Sequence, residues 1–155
     1  VSVSQPDRFG ETKFWCFLNN YFSFLLHKTE GVESWIIKSN KCSLAFLAGY
    51  IDAEGSFGIT NRNQPFFSMK SQDKTIMSQI QTLLLPRIKI KTKLHFVRAS
   101  GSIMNGIRSN KDVFGIFIYN RASLENILKA VLPLLRHEKR KQDALKVYNR
   151  IHVRA

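Results

Sequence analysis

Apolar and polar positions change their period along the chain, and these changes predict where helices and strands lie. Residues 44–53 repeat apolar side chains at the three- and four-residue spacing of one helix face. Ser43 is predicted to cap this helix, and Gly55 to end it. Apolar and polar residues then alternate over 56–62, which is typical of a half-buried strand. A second alternating run at 67–70 completes a predicted hairpin.

The same succession of periods returns in the second half of the chain. Asp73 is predicted to cap another helix. Residues 88–96 alternate almost perfectly, with apolar residues on one side and lysines or a histidine on the other, and they predict a third strand. Residues 113–119 predict a fourth strand, a helix is expected over 120–132, and a basic helix over 137–151.

These elements predict an α+β fold in the order αββαββα, with an antiparallel sheet covered by helices on one face. The other sheet face is then bare, and the alternation places polar and basic side chains on it. A basic sheet face is a candidate saddle for DNA. A solvated face is the alternative interpretation, since antiparallel sheets often have one. The side chains predicted to face DNA are Ser56, Thr60, Arg62, Ser68, Lys70, Lys89, Lys91 and Lys93.

The first part of the chain has a different character from the rest. Residues 1–42 are predicted to form an N-terminal extension, and residues 43–155 the main domain. An aromatic-rich run at 14–26 predicts a helix within the extension. This run is shorter than the roughly 20 apolar residues that cross a bilayer, so no membrane partner is expected.

The charge of the chain indicates what kind of partner this fold would bind. The chain has 24 Lys and Arg against 11 Asp and Glu, a formal net charge of +13. A surplus of this size favours a polyanionic partner, of which nucleic acid is the commonest. Cys16 and Cys42 are the only cysteines, which excludes a disulfide framework and a zinc site of four cysteines.

A strip of small residues follows one side of the helix at 44–53. Ala45, Gly49 and Ala53 are spaced four apart, and such strips let two helices approach closely. Asp52 and Glu54 stand at the end of this helix, where acidic side chains oppose the helix dipole. If symmetry brought two such ends together, their carboxylates could hold a hard cation such as magnesium beside a phosphate.

Residues 47–55 read LAGYIDAEG, and they resemble the motif of the LAGLIDADG homing endonucleases and their intron maturase relatives. Tyr50 replaces the second leucine of that motif, and Glu54 replaces its last aspartate. The resemblance covers about residues 43–151. It implies a sequence-specific double-strand DNA endonuclease, encoded in an intron, that hydrolyses phosphodiester bonds with Mg²⁺ as a homodimer. The alternative is an RNA-binding splicing maturase, or a binder that has lost cleavage, on the same scaffold.

The resemblance also implies roles for particular residues. Glu54 would bind the divalent metal and take part in catalysis, and the carbonyl of Ala53 would be a backbone ligand. Asp52 would be mainly structural. Ser71 or Gln72 would lie near the attacking water, with Gln72 favoured.

A basic segment after the predicted fourth strand resembles the one that supplies a lysine near the scissile phosphate. Alignment on Gln142 puts Lys139 at that place, whereas an ungapped alignment from Pro133 puts Glu138 there, and Lys139 is preferred. The resemblance further implies partners and an origin. The partners would be double-stranded DNA, a second copy of the chain and possible intron RNA. The location would be an organelle (mitochondrion or chloroplast) or a bacterial cytoplasm.

Overall fold

A computed structural model describes residues 2–3, 14–15, 31–104 and 107–152 of the chain. Its centre is a four-stranded antiparallel sheet with the strand order β3-β4-β8-β5. Helices cover one face of this sheet, which confirms the predicted α+β architecture. The strands are β1 (Ser2–Val3), β2 (Phe14–Trp15), β3 (Gly55–Ile59), β4 (Pro65–Ser71), β5 (His95–Arg98), β6 (Ile103–Met104), β7 (Ile107–Arg108) and β8 (Val113–Ile118). The helices are α1 (Ser34–Lys38), α2 (Asn40–Glu54), α3 (Lys74–Gln79), α4 (Arg121–Val131) and α5 (Glu138–His152).

Two short ladders lie outside the main sheet. Strand β1 pairs with β2, so Phe14 and Trp15 belong to a strand and not to the helix predicted over 14–26. The rest of that predicted helix lies outside the described residues. Strands β6 and β7 pair in a small hairpin that extends from the β5–β8 connection. Among the described helices, none combines the length and the apolar character that a membrane crossing requires.

Helix α2 begins earlier than predicted. The Ser39 hydroxyl caps it by accepting a hydrogen bond from the Cys42 N–H at 3.2 Å. Ser43, the predicted cap, is only 2% exposed inside the helix, and its hydroxyl donates to the Ile36 carbonyl at 2.7 Å. The predicted cap is therefore wrong, because the packing of α1 against α2 uses Ser43 instead. Gly55 ends the helix as predicted, since a Cβ there would lie 2.7 Å from the Ile51 carbonyl oxygen.

The core lies between the sheet and the helices. The buried positions of the first hairpin alternate along its strands, as the sequence predicted. Phe57 of β3 and both Phe67 and Met69 of β4 are buried towards the helices. Ile59 is an exception at 40% exposed, because it stands at the end of β3 beside the turn. Each large buried side chain contributes about 1.5–3 kcal/mol. The helices contribute Leu47, Ile51, Met77, Leu124, Ile127, Leu128, Val131, Ala144, Val147 and Ile151 to this core.

The strand predicted over 88–96 is wrong in its first seven residues. Helix α3 continues as a π-helical turn (Ile80–Leu84) and a 3-10 turn (Leu85–Ile88). Lys89 then has a φ of 58°, in the left-handed region, which ends the helical run and is incompatible with an extended strand. Ile90 is buried as the alternation requires, yet its N–H donates to the Leu85 carbonyl at 3.0 Å. The third strand of the sheet begins only at His95.

Three lysines predicted to lie on the sheet are therefore outside it. Lys89, Lys91 and Lys93 are exposed, but the segment that carries them is not a strand. Lys89 lies beside Asn126 and Lys129 of α4, in the helical layer. The alternation that was predicted to turn these lysines towards DNA is therefore wrong.

Candidate active site and nucleic-acid interface

The sheet face opposite the helices has a definite set of side chains, set by strand register. Ser56 pairs with Ser68, which pairs with Phe117, and Lys70 pairs with Gly115, which pairs with His95. These residues alternate with the buried ones. We call this surface the saddle face, and its strand positions are Ser56, Gly58, Phe66, Ser68, Lys70, His95, Arg98, Gly115 and Phe117.

The predicted DNA-facing residues divide between this face and other places. Ser56, Ser68 and Lys70 lie on the saddle face as the alternation requires, and their contact with DNA stays a prediction. Thr60 and Arg62 are exposed in the turn between β3 and β4, where the Thr60 N–H donates to the Gln64 carbonyl at 2.9 Å. They are therefore at the end of the face, and not on strand β3 itself.

A cleft of about 410 Å³ opens where helix α2 ends beside the saddle face. It brings together Glu54 from the end of α2 and both residues proposed for the water position, Ser71 and Gln72 at the end of β4. Lys70 and Arg98 line the same cleft, so two cationic side chains lie near the Glu54 carboxylate. Sequence reasoning missed Arg98, because its place depends on an irregularity in the β5–β8 register that no periodicity reveals.

The basic segment lies at the start of α5, and the role of Lys139 stays a prediction. Lys139 is exposed in the first turn of α5 and is not among the residues that line the cleft. Glu138, the alternative at that place, accepts a hydrogen bond from the Gln142 amide at 3.1 Å, within α5. The cations of the cleft itself are Lys70 and Arg98.

Asp52 joins the end of α2 to the segment before α5. One of its carboxylate oxygens, Oδ2, accepts a hydrogen bond from the Arg136 N–H at 2.7 Å, across 84 positions of sequence. The other oxygen, Oδ1, is buried without a hydrogen-bond partner among the described residues. This contact supports the structural role inferred for Asp52, as it fixes the start of α5 next to the cleft.

We expect Asp52→Ala to destabilise the fold by about 1–3 kcal/mol, because a half-buried carboxylate loses its hydrogen bond from the Arg136 N–H. Thermal or urea unfolding of the full chain would measure this. Asp112→Ala is a suitable comparison, because Asp112 also accepts a backbone N–H, from Ser100 at 2.8 Å, but is exposed. Equal losses from the two substitutions would contradict the role of Asp52 at the α2–α5 junction.

Tyr50 of α2 is linked to the cleft through Ser71, which lines it. Its ring stacks on Phe46, with 5.9 Å between centroids. Burial raises the pKa of the Tyr50 phenol, a hydrogen bond with Ser71 opposes this, and the carboxylates of Asp73 and Glu54 add to the rise. The phenol is therefore un-ionised at neutral pH, next to a residue proposed for the water position.

Helix α2 buries one side and exposes the other. Leu47, Ala48 and Ile51 are buried against the core, whereas the strip of Ala45, Gly49 and Ala53 is exposed. A Cβ added at Gly49 would meet nothing within 4 Å. Nothing within the described part of the chain therefore requires a glycine at this position, and the strip is open to another helix.

The donor groups at the end of α2 are of the kind that magnesium prefers, but one chain offers few of them. The Glu54 carboxylate is exposed, and the carbonyl of Ala53 lies in the last turn, where helix carbonyls lack partners within the helix. Across residues 31–104 and 107–152, no three His, Cys, Asp or Glu side chains are grouped to hold a metal. The oxygen chemistry of these two groups fits the ion.

The helix order, the bare sheet face and the acidic end of α2 define a LAGLIDADG-type α+β domain. Residues 41–131 match the family model of the LAGLIDADG-like domain, and the chain belongs to this family. No curated protein sequence matches the chain.

Solved structures share this fold at low identity. The homing endonuclease I-CvuI, in a complex with DNA, superposes with a TM-score of 0.50 and 18% identity, over 72% of this chain and 67% of its own. The LAGLIDADG meganuclease I-CpaMI, bound to uncleaved DNA, gives a TM-score of 0.51 and 19% identity, over 70% of this chain and 36% of its own. The chain thus spans little more than a third of I-CpaMI.

Proposed function

We propose that this protein is a sequence-specific, metal-dependent DNA endonuclease that acts as a homodimer. The observation that carries the proposal is the cleft at the end of α2, where Glu54 and Gln72 meet the cations Lys70 and Arg98 beside the saddle face. A carboxylate can hold a metal ion, an amide can orient a water, and two cations can stabilise the charge on a phosphate during phosphodiester hydrolysis. Their place beside a sheet face open to a duplex favours DNA as the substrate.

The residues of the cleft would have different roles in phosphodiester hydrolysis. Glu54, with the Ala53 carbonyl, would hold the divalent ion, which when bound supplies Lewis acidity beside the scissile phosphate. Gln72 would orient the attacking water by hydrogen bonding. Lys70 and Arg98 would bind the phosphate oxygens and stabilise the charge that grows on them during hydrolysis. Lys139, from the first turn of α5, would then contact the phosphate backbone outside the cleft.

A second copy would complete what one chain lacks. The exposed strip of Ala45, Gly49 and Ala53 is suited to close packing of two α2 helices about a twofold axis. Such packing would bring the two Glu54 carboxylates near each other and give one cleft to each DNA strand. Magnesium is the proposed ion. The I-CvuI complex that resembles this fold was crystallised in the presence of magnesium with its DNA not cleaved, so magnesium is proposed here on the oxygen chemistry of Glu54 and Ala53.

Selection from a random duplex library, followed by cleavage of the selected site, tests this function. The full chain would be used to enrich a site, and a plasmid with that site would be incubated with the protein in magnesium and in calcium. We expect double-strand cleavage in magnesium. Tight binding of the site without cleavage in any divalent ion would favour the inactive binder instead.

The position of Lys70 on the saddle face makes a salt-dependence test possible. Removal of a lysine that contacts a phosphate lowers the slope of log affinity against log salt by about one. We expect this change for Lys70→Ala. Lys89→Ala is the matched control, since Lys89 is equally exposed but lies beside α4, and it should leave the slope unchanged. Fluorescence anisotropy over a salt series would measure both slopes, and the reverse order of effects would remove the saddle face from the interface.

A further inference from the structure

Two aromatic rings lie across the saddle face instead of standing up from it. A Cβ at Gly58 would fall 2.8 Å from the ring of Phe66, and a Cβ at Gly115 would fall 2.8 Å from both the ring of Phe117 and Cγ2 of Val97. Each glycine therefore leaves the room into which its neighbour's ring folds. A ring in this position turns one π face away from the backbone, towards whatever the saddle face contacts.

Other side chains hold these rings in place. Tyr119, which is 61% exposed, contacts the Phe66 ring at 6.5 Å between centroids. His95 meets the Phe117 ring edge-on at 5.7 Å, and the Lys70 ammonium lies 5.8 Å from its centroid. The face therefore presents two aromatic rings that pack against neighbouring side chains, one on β4 and one on β8.

The chemistry of the strands limits what this face could recognise. In major-groove recognition, Asn or Gln pairs with adenine, Asp or Glu with cytosine, and Arg or Lys with guanine. None of the four strands β3, β4, β5 and β8 contains Asn, Gln, Asp or Glu. Their cations on this face, Lys70 and Arg98, stand in the cleft with Glu54. Ser56, Ser68 and His95 also lie on this face, and a serine does not single out one base. The rings of Phe66 and Phe117 offer apolar contact, which in the major groove is the means of recognising the thymine methyl group.

We propose that Phe66 and Phe117 are specificity-determining residues that recognise thymine methyl groups in the major groove. This inference rests on the proposed function, because it needs a duplex against the saddle face. Ser68 is the register partner of Phe117 and lies two residues from Phe66 along β4. Two residues of strand span about 7 Å, which is about two base-pair steps. The rings are further apart than these backbone positions, because the Phe117 ring folds back over Gly115 and the Phe66 ring folds over Gly58 on β3. We therefore expect each half-site to have two thymines that are more than two positions apart.

Replacing thymine by uracil tests the proposal without changing the protein. The probe is the duplex selected with the full chain, with uracil at the two thymine positions of both half-sites. Uracil lacks only the methyl group, so we expect affinity to fall about fourfold per methyl in contact with a ring. Uracil at thymines outside these positions should leave affinity unchanged.

Substitutions assign the effect to the rings. Phe117→Asn and Phe66→Asn should each abolish the thymine preference at one position in a repeated selection. Phe96→Asn is the matched control, since Phe96 is 60% exposed in the same sheet but its partner Phe114 places it on the helix side. Phe96→Asn should preserve both thymines. Thermal melting identifies a variant that fails to fold. In that case the uracil comparison on the unaltered chain decides whether the thymine methyl groups are contacted.

Each outcome bears on the proposal. A defined site that tolerates uracil at every thymine overturns the thymine contact and leaves the nuclease function intact. A selection that enriches no duplex overturns both. Single-stranded DNA or RNA that binds as tightly as the duplex, and loses affinity in Phe117→Asn, would show that the rings stack on unpaired bases, and that also overturns the proposal.

Discussion

Glu54→Gln is expected to slow DNA cleavage by at least about 100-fold, because a divalent ion contributes several kcal/mol to phosphodiester hydrolysis and this variant loses the carboxylate that would hold it. Glutamine preserves the size of the side chain and can still form hydrogen bonds. The position is exposed at the end of α2, so the fold should be unaffected. Duplex binding should survive or tighten, because a negative charge beside the phosphates is removed.

A matched control separates this effect from a general loss of charge. Glu125 is an acidic residue on α4 that is paired with Lys129 at 2.6 Å, in the helical layer. Glu125→Gln should therefore cleave at the rate of the unaltered protein. Cleavage rates would be measured under single-turnover conditions in magnesium, and binding in calcium. If Glu54→Gln cleaves as fast as Glu125→Gln, the metal site lies elsewhere.

Gly49→Leu is expected to abolish the dimer while the single chain remains folded. Two leucines would meet across the twofold axis, and overpacking of about 1–3 kcal/mol for each would raise the dimer dissociation constant at least about 30-fold. Within one chain the new side chain has room, since a Cβ at Gly49 meets nothing within 4 Å. Leucine is also a better helix former than glycine, so the melting temperature of the monomer should not fall.

Sedimentation velocity and thermal melting together decide this prediction. Ala122→Leu is the control, because Ala122 is an equally exposed small residue on the surface of a helix, α4. It should leave both the dimer and the cleavage of both strands unchanged. A Gly49→Leu protein that still sediments as a dimer would exclude the α2 strip from the interface.

The parts of this fold that could be predicted from sequence are those whose causes are local. Helix α2 and the hairpin of β3 and β4 follow from period alone, since each places its apolar side chains on one face over consecutive residues. The Asp73 cap was correct for the same reason, and it accepts the Ile76 N–H at 2.9 Å. Glu54 and Gln72 could be placed in one cleft only through the family motif.

The errors arose where contacts between distant parts of the chain determine the local structure. Residues 88–94 alternate like a strand, but Ile90 satisfies that pattern by entering the core from a left-handed turn at Lys89. Arg98 reaches the cleft through an irregular strand register, and the ring of Phe117 folds over Gly115 on its own strand. Such features depend on which strands pair, and the period of apolar residues along the sequence does not reveal that pairing.

The two-sided character of α2 has a consequence for how the activity would respond to the amount of protein. Its buried side belongs to the core of the single chain, and its exposed strip is the surface that the proposed dimer would use. Folding and assembly are then separate equilibria. Below the dimer dissociation constant, the concentration of active pairs varies with the square of the chain concentration. A halving of the protein would then reduce double-strand cleavage about fourfold by mass action, while the fold of each chain stays the same.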